Sequence, residues 1–116
     1  MKLFRITLST IILSTVVTGC TYDIAIECHI EEVSYSNDIT PLLDAKCGSC
    51  HSGFSPEGNL DLTTYDSASD AVLVGDVLSR ITLPLSSDLV MPPTGGLSEC
   101  DIEKITRWLN DGAPNN

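Results

Sequence analysis

Cys47, Gly48, Ser49, Cys50 and His51 read C-x-x-C-H, five residues whose types and spacing form the covalent attachment sequence for a c-type haem. Two thiols at this spacing can add across the porphyrin vinyl groups as thioethers. The adjacent histidine is then held to donate a ring nitrogen to the iron as proximal ligand. Two other chemistries also use paired cysteines. A thioredoxin-like redox pair needs a βαβ setting, and residues 35–60 show no strand-like alternation followed by a long helix. A zinc site could take Cys47, Cys50 and His51 with Cys100 as a fourth ligand, although adjacent Cys50 and His51 diverge awkwardly around one tetrahedral ion. Motif specificity favours haem.

Apart from the initiator, Met91 is the only methionine. It sits in Met91-Pro92-Pro93, within a segment, 83–96, that holds three prolines and two glycines and therefore reads as a loop. A thioether held by a stiff, proline-bounded loop suits the sixth coordination position of a haem iron. The alternative is a loop methionine that only covers apolar surface. The other soft candidate, His29, falls in a polar N-terminal stretch and reads as a solvated histidine. Arg80 is a candidate to neutralise a haem propionate, against the plainer reading of a surface arginine.

The elements that must position these groups begin after a targeting segment. Lys2 and Arg5 form a basic n-region, and residues 6–17 (ITLSTIILSTVV) form an apolar h-region too short and too rich in Ser and Thr to span a bilayer. Val17-Thr18-Gly19-Cys20 then resembles the bacterial lipobox, in which small residues precede a cysteine that is diacylated and becomes the mature N-terminus. The alternative is an ordinary secretory signal with an incidental cysteine. Residues 1–19 are thus expected to be a lipoprotein signal peptide, and acyl chains on Cys20 would tether the mature chain to a membrane surface without inserting it.

Cleavage there leaves Lys46, Arg80, Lys104 and Arg107 against sixteen acidic residues, a net charge near −12. That balance excludes a nucleic-acid partner and favours redox partners with basic docking faces. The mature chain has one Phe, one Trp and three Tyr, a thin core for one small domain, which a buried haem would enlarge. With Cys20 assigned to lipid and Cys47 and Cys50 to haem, Cys28 and Cys100 remain, an even pair in an oxidising compartment. Spacing alone does not show that their backbones meet, so a disulfide and two free thiols both stay open.

Residues 20–32 are acidic and lack helical periodicity, and read as a tether; the folded domain is expected over 33–116. Ser36, Asn37 or Asp38 can cap a first helix, Pro41 is tolerated in its first turn, and Ile39, Leu42 and Leu43 give it an apolar face leading into Cys47. Residues 52–64 should form a loop along the haem edge, with Phe54, Leu60 and Leu62 available to pack on the porphyrin. One or two helices are expected over about 65–82 with a break at Gly75. A last helix follows Ser98, whose cap resembles a capping box with Asp101 in place of Glu. Ile102, Ile105, Trp108 and Leu109 line one face of that helix, and Gly112 with Pro114 stops it.

This order of helix, CGSCH, glycine-rich loop, intermediate helices, methionine loop and capped last helix is similar to the monohaem class I cytochrome c family. The segments VSYSNDITPLLDAKCGSCHS, GNLDLTTYDSA, MPP and LSECDIEKITRWLNDGAPNN look like the short cytochrome c lipoproteins of Bacteroidetes-type bacteria, over about residues 33–114. The resemblance implies an all-α, class I cytochrome c-like fold of about three to four short helices around one covalent haem c. It implies Cys47 and Cys50 as thioether anchors, His51 as proximal and Met91 as distal ligand, and a first helix that crosses the Trp108 helix near the haem edge. The aromatic-rich first helix of many family members is missing. The implied activity is one-electron transfer by a carrier that is not itself an enzyme. Two alternatives remain: a haem enzyme or gas sensor with an open distal position, and a zinc-stapled interaction module. The expected location is the bacterial cell envelope, with the domain in the periplasm or on the cell surface. Thr21, where many inner-membrane lipoproteins carry aspartate, favours the outer membrane.

Overall fold

A computed structural model describes residues 28–116. The expected signal peptide, Cys20 and the tether as far as residue 27 lie outside the described residues. The described chain is all-α, with no strand. A wide, π-helical turn over Tyr35–Ile39 runs into α1 (Thr40–Lys46). A short 3-10 turn at Glu57–Asn59 follows, then α2 (Tyr65–Leu73), α3 (Val77–Ile81) and α4 (Glu99–Asn110). Among the described residues no helix is long and apolar enough to cross a membrane.

The first helical segment starts two residues earlier than the sequence suggests. Its cap is Ser34, whose hydroxyl accepts from Asn37 N–H at 3.0 Å, not Ser36, Asn37 or Asp38. Asp38 instead reaches back and accepts from Ser34 N–H at 3.0 Å, a reciprocal closure of two otherwise orphaned donors. Pro41 explains the wide turn that precedes α1. It has no N–H to give the carbonyl four residues back and its ring needs room there, so the helix can tighten to α only beyond that point.

The break between α2 and α3 falls at Gly75, where a Cβ would lie 2.6 Å from the Ala71 carbonyl oxygen, so the closing turn of α2 leaves no space for a side chain. α4 is capped by Ser98, which accepts from Asp101 N–H at 3.2 Å and donates its hydroxyl proton to Asp101 Oδ2 at 2.8 Å. Its far end closes with Gly112 N–H donating to Leu109 O at 2.9 Å and Ala113 N–H to Trp108 O at 2.8 Å. Gly112, at φ +83°, supplies the left-handed residue that this closure requires.

Trp108 is fully buried, as are Ile39 and Ile105. Tyr35 stacks on Trp108 with ring centroids 5.4 Å apart, and Tyr65 meets Tyr35 edge-on at 5.1 Å. Each polar end of this cluster has a partner: Trp108 Nε1–H donates to Pro114 O at 2.9 Å and Tyr65 O–H to Ala113 O at 2.8 Å. Tyr35 thus supplies an aromatic ring where the first helical segment meets α4, in a chain whose first helix is otherwise aliphatic. The C-terminal Asn116 fastens the same corner, its Oδ1 accepting from Tyr35 N–H at 2.8 Å.

The described part of the expected tether lies against α4. Cys28 and Cys100 form a disulfide with Cα atoms 5.4 Å apart. Arg107 donates to the carbonyls of Ile30 and Glu31, and Val33 is buried. Residues 28–33 therefore run beside α4 as part of the folded unit.

Candidate functional site

α1 leads directly into the CGSCH motif. Cys47 and Gly48 N–H both donate to Leu43 O, at 2.8 and 2.9 Å, and the backbone then makes one more turn, with Cys50 and His51 N–H donating to Cys47 O at 3.1 and 2.9 Å. Cys47 and His51, four residues apart in that turn, share one face. Neither Cys47 nor Cys50 is in a disulfide; Cys47 is half-buried and Cys50 exposed. Burial pushes the Cys47 thiol above its ordinary value, the reverse of what activates a nucleophilic redox thiolate. The strand-free surroundings also give no βαβ setting for such a site.

The loop after the motif folds back onto it. Glu57 N–H donates to Cys50 O and Leu62 N–H to His51 O, both at 2.9 Å. His51 Nδ1 lies 3.2 Å from Leu60 O. A carbonyl oxygen only accepts, so this contact places the proton on Nδ1 and leaves the Nε2 lone pair available to a metal.

Met91 is positioned from the other side. Its N–H donates to Arg80 O at 3.1 Å, which ties the loop to α3, and Pro92 O accepts from Gly96 N–H at 3.0 Å beyond it. The buried Val90 anchors the loop next to Met91.

Two neighbouring cavities lie between these parts. The larger, about 480 Å3, is bounded by His51 and Met91 and by the apolar Leu60, Leu62, Val77 and Ile81. Glu57, Asp76, Arg80 and Leu89 complete its rim. The smaller, about 120 Å3, lies at the cysteine end, where Cys47 and Cys50 face Pro92, Pro93 and Thr94. Cys47, His51, Glu57, Ile81 and Met91 belong to both. Four expected site residues, Cys47, Cys50, His51 and Met91, therefore border one continuous cleft.

Other expectations fare differently. Leu60 and Leu62 line the cleft, but Phe54 is fully exposed and does not. The turn at residues 53–59, with Gly53 and Gly58 in the left-handed region, swings that part of the loop outward. His29 lies away from the cleft, exposed and 3.5 Å from Glu31. Cys100 is committed to Cys28 and has no thiol to offer a zinc ion. Among the described residues no group of three His, Cys, Asp or Glu side chains gathers as a metal site. Sequence reading singles out neither Leu89 nor Asp76 as a cleft residue. Val77 and Ile81 carry a detectable signal, their i, i+4 spacing on one helix face. Comparison with protein-family models, with curated proteins and with solved structures gives no match.

Proposed function

We propose that this chain is a membrane-anchored c-type cytochrome of class I character that carries single electrons between redox partners. One observation carries the reading: Met91, remote in sequence from the motif that holds Cys47 and His51, borders the same cleft as they do, with the His51 ring held on Leu60 O so that Nε2 is free. The residues suit a haem. The cleft walls are mostly aliphatic with Glu57, Asp76 and Arg80 among them, the larger cavity alone falls within the range of ordinary cofactor sites, and Cys47 lines both cavities with Cys50 beside it in the smaller.

In this reading Cys47 and Cys50 would hold haem c through thioethers, and His51 and Met91 would supply an imidazole and a thioether ligand to its iron. Bound there, haem supplies a reversible one-electron couple, with a thioether ligand favouring the reduced state. The protein's own contribution is positional. The hydrogen bond to Leu60 O fixes the tautomer and plane of His51, and the bond from Met91 N–H to Arg80 O fixes the loop that presents the thioether. With His51 and Met91 both serving the iron, neither oxidation state would require a ligand exchange, and Leu60, Leu62 and Ile81 would give the cofactor an apolar wall. The acidic surface steers the domain toward basic partner faces.

The full chain, expressed in the periplasm with cytochrome c maturation machinery, is expected to stain for covalent haem in denaturing gels. Its spectrum should show sharp haem c bands with a methionine-to-iron charge-transfer feature. Cys20→Ser should move it from the membrane fraction to the soluble one. Colourless protein with both Cys47 and Cys50 thiols still titratable refutes the reading.

A further inference from the structure

Residues 28–33 are fixed beside α4 in three ways. Cys28 is bonded to Cys100 in the first turn of α4, Arg107 donates to the carbonyls of Ile30 and Glu31, and Ile30 and the buried Val33 pack on the core. Of these the disulfide alone is covalent, and it comes first along the chain. A pull on the chain ahead of Cys28 is therefore taken up at Cys100 and is not passed on through residues 29–33.

We infer that the Cys28–Cys100 bond is the point at which the membrane anchor holds the domain, and that it sets how far the domain can stand from the lipid surface. The inference rests on the reading of Cys20 as the lipidated residue and deepens it. From Cys20 to Cys28 there are eight residue steps, which reach at most about 29 Å whatever course the chain takes. If the anchor took hold only at Val33, thirteen steps would reach about 47 Å. The clip thus takes about 18 Å off the reach.

The corner itself does not draw the domain to lipid. Basic clusters bind anionic headgroups, whereas here Glu99 and Asp101 flank Cys100, and the exposed Glu31 and Glu32 follow Cys28. Of the cations on α4, Lys104 lies 3.9 Å from Asp38 and Arg107 is engaged by the two carbonyls. An acidic corner is repelled by an anionic leaflet, so the height of the domain is left to the tether. An electron partner fixed in the same membrane then has to present its docking face within that height.

The test is neutron reflectometry of the full chain, acylated in a lipoprotein-processing bacterium, on a supported phosphatidylcholine bilayer. It reads the distance from the headgroups to the centre of the protein layer and needs no haem. A Gly/Ser spacer of about twelve residues, with an end-to-end distance of about 20 Å, is placed either between residues 22 and 23, ahead of the clip, or between Glu31 and Glu32, behind it. The first spacer should move the layer outward by up to about 20 Å, and the second should leave it where wild type has it. With Cys28→Ser and Cys100→Ser added, the second spacer should move the layer outward too. A first spacer without effect overturns the inference, as does a second spacer that acts equally with the disulfide intact by mass spectrometry. A second spacer that still has no effect once the disulfide is gone also overturns it, and gives the hold to Arg107 and Val33. If the second spacer prevents folding, read by circular dichroism, the serine pair alone decides: an outward shift from wild type supports the clip as the point of hold, and an unchanged layer overturns it. Wild type that does not stay on the bilayer overturns the anchor and this inference together, while the haem spectrum of the same sample tests the electron-carrier reading separately.

Discussion

Replacing Cys28 and Cys100 together by serine should cost much stability and leave the cleft chemistry untouched. The disulfide closes a sequence separation of 72 residues. In the chain-entropy account a loop of that size removes about 4.4 kcal/mol of denatured-state freedom. Thioethers at Cys47 and Cys50, as proposed, would duplicate little of this, since the two residues are only three positions apart. Against a typical total of about 5–15 kcal/mol, the clip is a large share of what holds a domain of this size together. At a denaturant slope of about 2 kcal/mol/M, the urea midpoint should fall by about 2 M. The assay is equilibrium unfolding of the haem-loaded protein followed by far-UV circular dichroism, with the methionine charge-transfer band recorded in the native baseline. That band should be unchanged, because the clip joins residues 28–33 to α4 while Met91 is held by Arg80 O on α3. A midpoint shift under about 0.5 M would show that the denatured chain gains little freedom when the clip is cut. Loss of the band in the folded variant would show that the clip and the methionine loop are one unit.

Met91→Leu keeps an apolar side chain of similar volume and removes the sulfur; the charge-transfer band should vanish, the midpoint potential should drop, and added imidazole should bind the iron, whereas a retained band would exclude Met91 as ligand. Trp108→Phe keeps a ring against Tyr35 but leaves the Pro114 carbonyl without its donor, which should destabilise the domain by about 1–3 kcal/mol in urea titration with no change in the haem spectrum.

Much of the local structure is legible in the chain alone, because its causes act over a few residues. The Ser98 cap, the Ile105–Trp108 stripe and the Gly112 closure of α4 are all set by neighbours within a turn. So is the break at Gly75. The start of the first helix is less legible: Ser34, Ser36, Asn37 and Asp38 are all competent caps, and the choice of Ser34 follows from the wider turn that Pro41 imposes. The C-x-x-C-H motif is the clearest signal, since contiguity alone brings Cys47, Cys50 and His51 together.

What only the tertiary structure decided are the contacts between segments that local chemistry leaves independent. Cys28 and Cys100 are the even remainder of a count, but their bond depends on residues 28–33 lying along α4, which Arg107 and buried Val33 arrange from elsewhere. Phe54 and Leu62 are both apolar loop residues after the motif, yet the turn that holds left-handed Gly53 and Gly58 sends one to solvent and the other into the cleft. Tyr35 meets Trp108, Leu60 O meets His51 Nδ1, and Met91 comes to the cleft through Arg80 O. None of these pairings carries a sequence period or motif, because their free energy arises only when distant elements bury their faces against each other. The sequence by itself therefore determined which chemistry is proposed for the chain and most of the helices it forms. The packed structure decided which side chains line the cleft where that chemistry would act.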